Sequence, residues 1–264
     1  MDMTLDQYIL NPMGKSNAVL NATAREAIRT NYTKKFDAIL LRENGKINYT
    51  FYYDSKKNEY WAHVKVPSEV VPKFYYDVVL KFYTNAKVSA GGENLNKYFV
   101  KFFSNDPAFV YTYAYVFAHN NLLVTELSPK MSKRALKKAP NEKNPTKNVG
   151  YVKAIYFAFL FLSQRGLLNI TRVKAESKPL DIRKLLSSIE DADSVIAKRQ
   201  EEGERIEKKR KTPSEVKAIP GPGINTDESS GFGKIMKTKT VGSVGGKGIG
   251  KLKFSKTTAK TKRK

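Results

Sequence analysis

Tyr151–Leu168, YVKAIYFAFLFLSQRGLL, is the most apolar continuous stretch of the chain. Ile155, Phe157, Phe159, Leu160 and Leu162 fall within eight residues, interrupted only by Ala. A helix apolar on all sides belongs in a core or a membrane. Lys153 and Gln164-Arg165 bound the run, which leaves it short of the roughly 20 apolar residues that a bilayer needs. It therefore reads as the central buried helix of a domain, with Gly166 closing it in the left-handed position after the helix.

Upstream, Ala18–Lys35 puts Val19, Ala22, Ala27 and Ile28 on one helical face. Phe36–Leu41 reads as a short strand and Asn44-Gly45 as a hairpin turn. Lys46–Tyr53 and Glu59–Val66 are β-branched and aromatic, and they complete a three-stranded antiparallel meander. Ile47, Tyr49, Phe51 and Tyr53 share one face, as do Tyr60, Ala62, Val64 and Val66 on the partner strand. Pro67-Ser68-Glu69 looks like a helix start. Val71, Tyr75, Val78, Val79 and Phe82 then continue at helical spacing to about Thr84. Ala86–Asn96 is a loop, and Lys97–Phe103 is a strand. Asp106-Pro107 opens a segment ending at Asn120-Asn121, with the Asp-Pro start favouring helix and the aromatic content favouring strand. Ser128–Lys147 is a basic, Pro-rich excursion with one short helix, and Asn169–Val173 closes the domain.

The expected fold class is α+β. A small antiparallel, aromatic-rich sheet packs with helices over residues 1–175, and a charged amphipathic helix follows over 176–211. In that helix Ile182, Leu185, Ile189, Ala192 and Ile196 form a stripe about two heptads long. Residues 212–264 read as a Pro/Gly linker and a disordered Lys-rich tail, because they offer little to bury.

The formal charge of +23, from 48 Lys+Arg against 25 Asp+Glu, points to a polyanionic partner. Gly233–Lys264 holds eleven cations, Lys234, Lys237, Lys239, Lys247, Lys251, Lys253, Lys256, Lys260, Lys262, Arg263 and Lys264, and no acid. Lysines spaced along a flexible backbone engage phosphates through counterion release, without reading bases. A second basic candidate is the loop carrying Lys130, Lys133, Arg134, Lys137 and Lys138.

With no cysteine, disulfides, thiolate metal sites and cysteine nucleophiles are excluded. His63 and His119 stand 56 positions apart and read as structural. Gly245–Lys251 fits seven places of a phosphate-binding loop, but Leu252 replaces the hydroxyl and no apolar strand precedes it. No cofactor, metal or catalytic residue is expected. Tyr49, Phe51, Tyr53, Tyr60 and Trp61 beside lysines could form a stacking platform, although a small sheet must bury one aromatic face. The start, MDMTLDQYILNPMGK, lacks the pattern of a signal peptide, so synthesis in the cytoplasm is expected.

NDPAFVYTYAYVFAHNNLL (105–123), the basic excursion and YVKAIYFAFLFLSQRGLL together resemble virion proteins of large tailed bacteriophages, as does Asn11-Pro12-Met13-Gly14-Lys15. The resemblance spans Thr4–Val173 and carries no defined functional residues. It implies a non-enzymatic head, connector or tail part, assembled as a homo-oligomer or within a larger structure. The basic tail would then face nucleic acid or an acidic subunit. The alternative is a free, sequence-nonspecific nucleic-acid-binding protein.

Overall fold

The structure is a computed structural model describing residues 2–12, 22–84, 93–140, 144 and 147–211, with side chains described to Glu207. The central stretch forms the helix that its composition predicts. Numbered with the other helices in chain order it is α6, Lys153–Gln164, and it buries Ile155, Tyr156, Phe157, Phe161 and Leu162 among others. Phe159 and Leu160 are only half-buried, so the helix has a packed face rather than being enclosed all round. Gly166 sits at φ +62°. Its N–H donates to Ser163 O at 3.0 Å and that of Leu167 to Leu162 O at 2.7 Å, the paired bonds of a Schellman stop.

That packed face lies against a five-stranded sheet. Its strands are β1 (Tyr49–Asp54), β2 (Glu59–Pro67), β3 (Tyr75–Tyr83), β4 (Phe99–Ser104) and β5 (Lys178–Pro179), in the order β4-β3-β2-β1-β5. The first four form an antiparallel meander, and β5 joins β1 in parallel. The α+β class holds, with a sheet larger than expected and mixed in direction. The alternation read for the first hairpin is correct, since Tyr49, Phe51 and Tyr53 lie opposite Val64, Ala62 and Tyr60.

Two local expectations are corrected. Phe36–Leu41 is not a strand but the end of α2, Ala22–Arg42. Ile28, Tyr32, Phe36 and Ile39 recur every three to four residues and pack on the core, so the helical period outweighs the short apolar run. Asn44-Gly45 is consequently no hairpin but the Schellman stop of α2. Both residues have positive φ, and the Gly45 N–H donates to Leu40 O. The second correction is Ser68–Thr84, which is not a helix. Pro72 and the positive φ of Lys73 break it into a turn, and Tyr75–Tyr83 runs on as β3 with both faces buried. A strand covered on both sides reads as a nearly continuous apolar run, which also matches helical spacing.

Pro107–His119 is helical but divided into α3 (Pro107–Thr112) and α4 (Ala114–His119) at Tyr113, with Asn121 at φ +59° stopping the second. The basic excursion holds a 3₁₀ turn, Thr125–Lys130, and one short helix, α5 (Lys133–Lys137). The N-terminal helix α1 (Leu5–Leu10) orients the start of α6. The Tyr8 hydroxyl donates to Gly150 O at 3.1 Å and accepts from the Val152 N–H at 3.1 Å. After α7 (Ile170–Glu176), the single helix expected across 176–211 is two, α8 (Ile182–Ser188) and α9 (Ala192–Lys211). Leu185, Ile189, Ala192 and Ile196 of the predicted stripe belong to the main core, so this segment begins as part of the domain. It covers the second face of the sheet together with the 3₁₀ turn.

Candidate functional site

The eleven cations from Lys234 to Lys264 and the glycine-rich Gly245–Lys251 lie outside the described residues. The basic loop is described. Lys133, Arg134, Lys137 and Lys138 are exposed on α5 and its C-terminal cap, and none makes an ion pair among the described residues. Lys130 differs from them, pairing with Asp191 at 3.3 Å. Ala135 anchors the other side of this short helix in the core, which is why its cations project outward. The aromatic hairpin does not form the five-ring stacking platform, and of its rings only Tyr49 is exposed. Phe51, Tyr60 and Trp61 are each 1–2% exposed, and the Tyr60 ring stacks on Tyr53 at 4.9 Å inside the packing.

The second face of the sheet buries charges that the sequence reading did not single out. Asp77 on β3 accepts from His63 Nε2 at 2.7 Å and Lys65 Nζ at 2.8 Å on one oxygen. The other oxygen accepts from Asn105 Nδ2 at 3.1 Å and the Glu190 N–H at 3.2 Å. Burial alone would raise this carboxyl, but the hydrogen bonds and charges of His63 and Lys65 outweigh it and hold it at about 2. The Glu190 bond fastens the turn between α8 and α9 to the sheet. His63 is held in that network at 6% exposure. His119 is occupied too, with Nδ1 against Tyr115 O at 2.8 Å and its ring stacked on Tyr115 at 3.9 Å.

Further along β3, Lys81 is 6% exposed and pairs with Glu59 at 3.0 Å and Glu126 at 2.6 Å, beneath the 3₁₀ turn. Its ammonium lies 5.0 Å from the Trp61 ring centre. Burial would raise Glu126, yet Lys81 lowers it overall. One signal for both networks was available. Asp77 and Lys81 are four apart, a spacing that shares a face in helix and strand alike, but their partners on β2 come opposite them only once Tyr75–Tyr83 is read as a strand.

A cavity of about 70 Å³ lies where the β2–β3 turn, α3, α6 and α9 meet, with room for water. Asp106, Lys153, Glu69 and Arg199 contribute its polar lining. Glu69 bridges Lys35 at 2.8 Å and Lys153 at 2.6 Å. Asp106 is 6% exposed, and its Oδ2 has no protein partner. Burial raises its carboxyl above the ordinary range, partly offset by Lys153 and Arg199. Among the described residues no three acidic or histidine side chains cluster as a metal site, and no helix is long and apolar enough to cross a membrane.

No protein family, curated protein sequence or solved structure matches the chain.

Proposed function

We propose that this chain is a non-catalytic structural protein that holds nucleic acid through its basic C-terminal region. The observation that carries the reading is the placement of charge. Eleven cations without one acid occupy Gly233–Lys264, and they account for less than half of the +23, leaving +12 on residues 1–232. On the described body, Lys133, Arg134, Lys137 and Lys138 add an exposed basic patch. Both histidines are engaged in packing contacts, and the carboxylates of Asp77 and half-buried Glu126 are held in ion pairs, which favours binding over catalysis. The virion setting, as a head, connector or tail part, is supported by the texture of residues 105–168. An acidic neighbouring subunit would satisfy the same cations.

The test is binding of mixed-sequence single-stranded oligonucleotides to the full chain as salt is raised. If about half of the tail's cations engage phosphates, log K falls against log salt with a slope of about −4, and unrelated sequences bind alike. Salt-insensitive or strongly sequence-selective binding contradicts the proposal. Sedimentation of the free protein reports whether it forms rings or larger assemblies, as a structural part of a virion should.

A further inference from the structure

The ends of α2 and α6 meet α7 around an open cleft of about 550 Å³. Three cations line it: Lys46, Arg165 and Arg172. The two arginines are held in sequence. Arg165 Nη2 donates to Gly45 O at 2.6 Å, and Arg172 Nη1 donates to Arg165 O at 2.6 Å. Arg172 Nε also donates to Glu176 Oε1 at 2.8 Å, while the Tyr49 hydroxyl donates to Glu176 Oε2 at 3.1 Å. Each guanidinium is thus held by a backbone carbonyl just past a helix end, and that of Arg172 by Glu176 as well. Arg165 keeps Nε and Nη1 without a hydrogen bond among the described residues, and the Lys46 ammonium has no ion pair among them. Glu176 is the single carboxylate bonded into the cluster, so positive charge prevails. The Tyr49 ring, 36% exposed, forms part of the wall.

We propose that this cleft is a second contact for nucleic acid, on the folded body and distinct from the tail. This rests on the nucleic-acid reading above. Phosphodiester oxygens would take the remaining N–H groups of Arg165 and the Lys46 ammonium, with a base against Tyr49. A guanidinium already held by one hydrogen bond loses less side-chain freedom when its remaining N–H groups meet a phosphate. The form of the site argues for a strand rather than a compact anion. The cleft is open rather than enclosed, and its cations come from three separate segments, the turn after α2, the end of α6 and α7. Backbone cations with one aromatic ring are the elements of sequence-tolerant single-strand binding.

The experiment compares full-length wild type, Lys46→Glu and Lys34→Glu for binding of a short mixed-sequence single-stranded oligonucleotide across a salt series. Lys34 is exposed on the body of α2, so its variant makes the same charge change away from the cleft. The expected result is that Lys46→Glu weakens binding about tenfold more than Lys34→Glu and makes the salt slope shallower by about one. Acetylation of Lys46 should also slow when the oligonucleotide is bound. Equal losses in the two variants, with Lys46 acetylated at an unchanged rate, overturn the cleft while leaving the tail reading intact. Failure of the wild type to bind the oligonucleotide removes both. Polyglutamate binding with the same dependence on Lys46, in place of oligonucleotide binding, assigns the cleft to acidic polypeptides and overturns the proposal as well.

Discussion

Asp77 accepts four hydrogen bonds on a carboxyl that is 3% exposed, two of them from groups that can carry positive charge. A buried carboxylate persists only when its partners offset the loss of water, and removing the charge leaves them exposed to the same cost. Asp77→Asn should therefore destabilise the fold by about 3 kcal/mol at neutral pH, read as a lower urea midpoint. The pH dependence has a definite sign. The folded carboxyl is lowered from 3.8 to about 2, so its contribution is complete above the unfolded value and fades as pH falls toward the folded one. The gap between wild type and Asp77→Asn should stay constant from pH 7 to about 5 and then shrink as the pH falls through 4 toward 2. A gap that widens on acidification would show that the carboxylate is not stabilised by its neighbours. None of this was visible while Tyr75–Tyr83 counted as helix, because Asp77 and Lys65 become cross-strand partners only when β2 and β3 pair.

At the scale of elements, α8 and the first half of α9 belong to the domain. Leu185 is fully buried and Ile189 nearly so. Leu185→Ala should cost about 3 kcal/mol and lower a single cooperative transition seen by both tryptophan fluorescence and far-UV dichroism. Loss of helicity without a shift in the Trp61 signal would instead make α8–α9 an appendage. The helix stops can be tested in the same way. At Gly166 an added Cβ would come no closer than 3.8 Å to Arg172, so Gly166→Ala pays mainly for left-handed backbone, about 1 kcal/mol. At Gly45 the Cβ would lie 3.2 Å from Arg165 Nη2, so Gly45→Ala should cost more, because it also disturbs the bond that pins Arg165. Gly166 was readable as a stop because an apolar helix ended there. Asn44-Gly45 was not, since the same dipeptide serves hairpins and helix ends, and the distinction depends on whether the preceding residues are helical.

Across the whole molecule, charge is the dominant property. Residues 1–232 retain +12 and, among the described pairs, the most buried are His63–Asp77 and Lys81 with Glu59 and Glu126. Salt screens repulsion between exposed cations more than attraction inside buried pairs. Raising sodium chloride from low to moderate concentration should therefore raise the Tm by a few degrees, measured by calorimetry, even as it weakens oligonucleotide binding. A fall in Tm would mean that exposed pairs such as Lys198–Glu190 and Arg172–Glu176 carry more of the stability than the repulsion removes.

Composition and period were enough to establish the α+β class, the buried helix at Tyr151–Leu168 with its Gly166 stop, the first hairpin with its alternation, and the segregation of cations toward the C-terminus. Those features are local, arising from spacing, turn chemistry and charge within a few residues. The helical identity of Phe36–Leu41, the strand at Tyr75–Tyr83, the docking of α8–α9 and the meeting of Lys46, Arg165 and Arg172 depend on partners distant in the chain. A short apolar run fits either period equally well. Which one it adopts follows from which face the rest of the molecule covers, and that is known only when the layers are assembled.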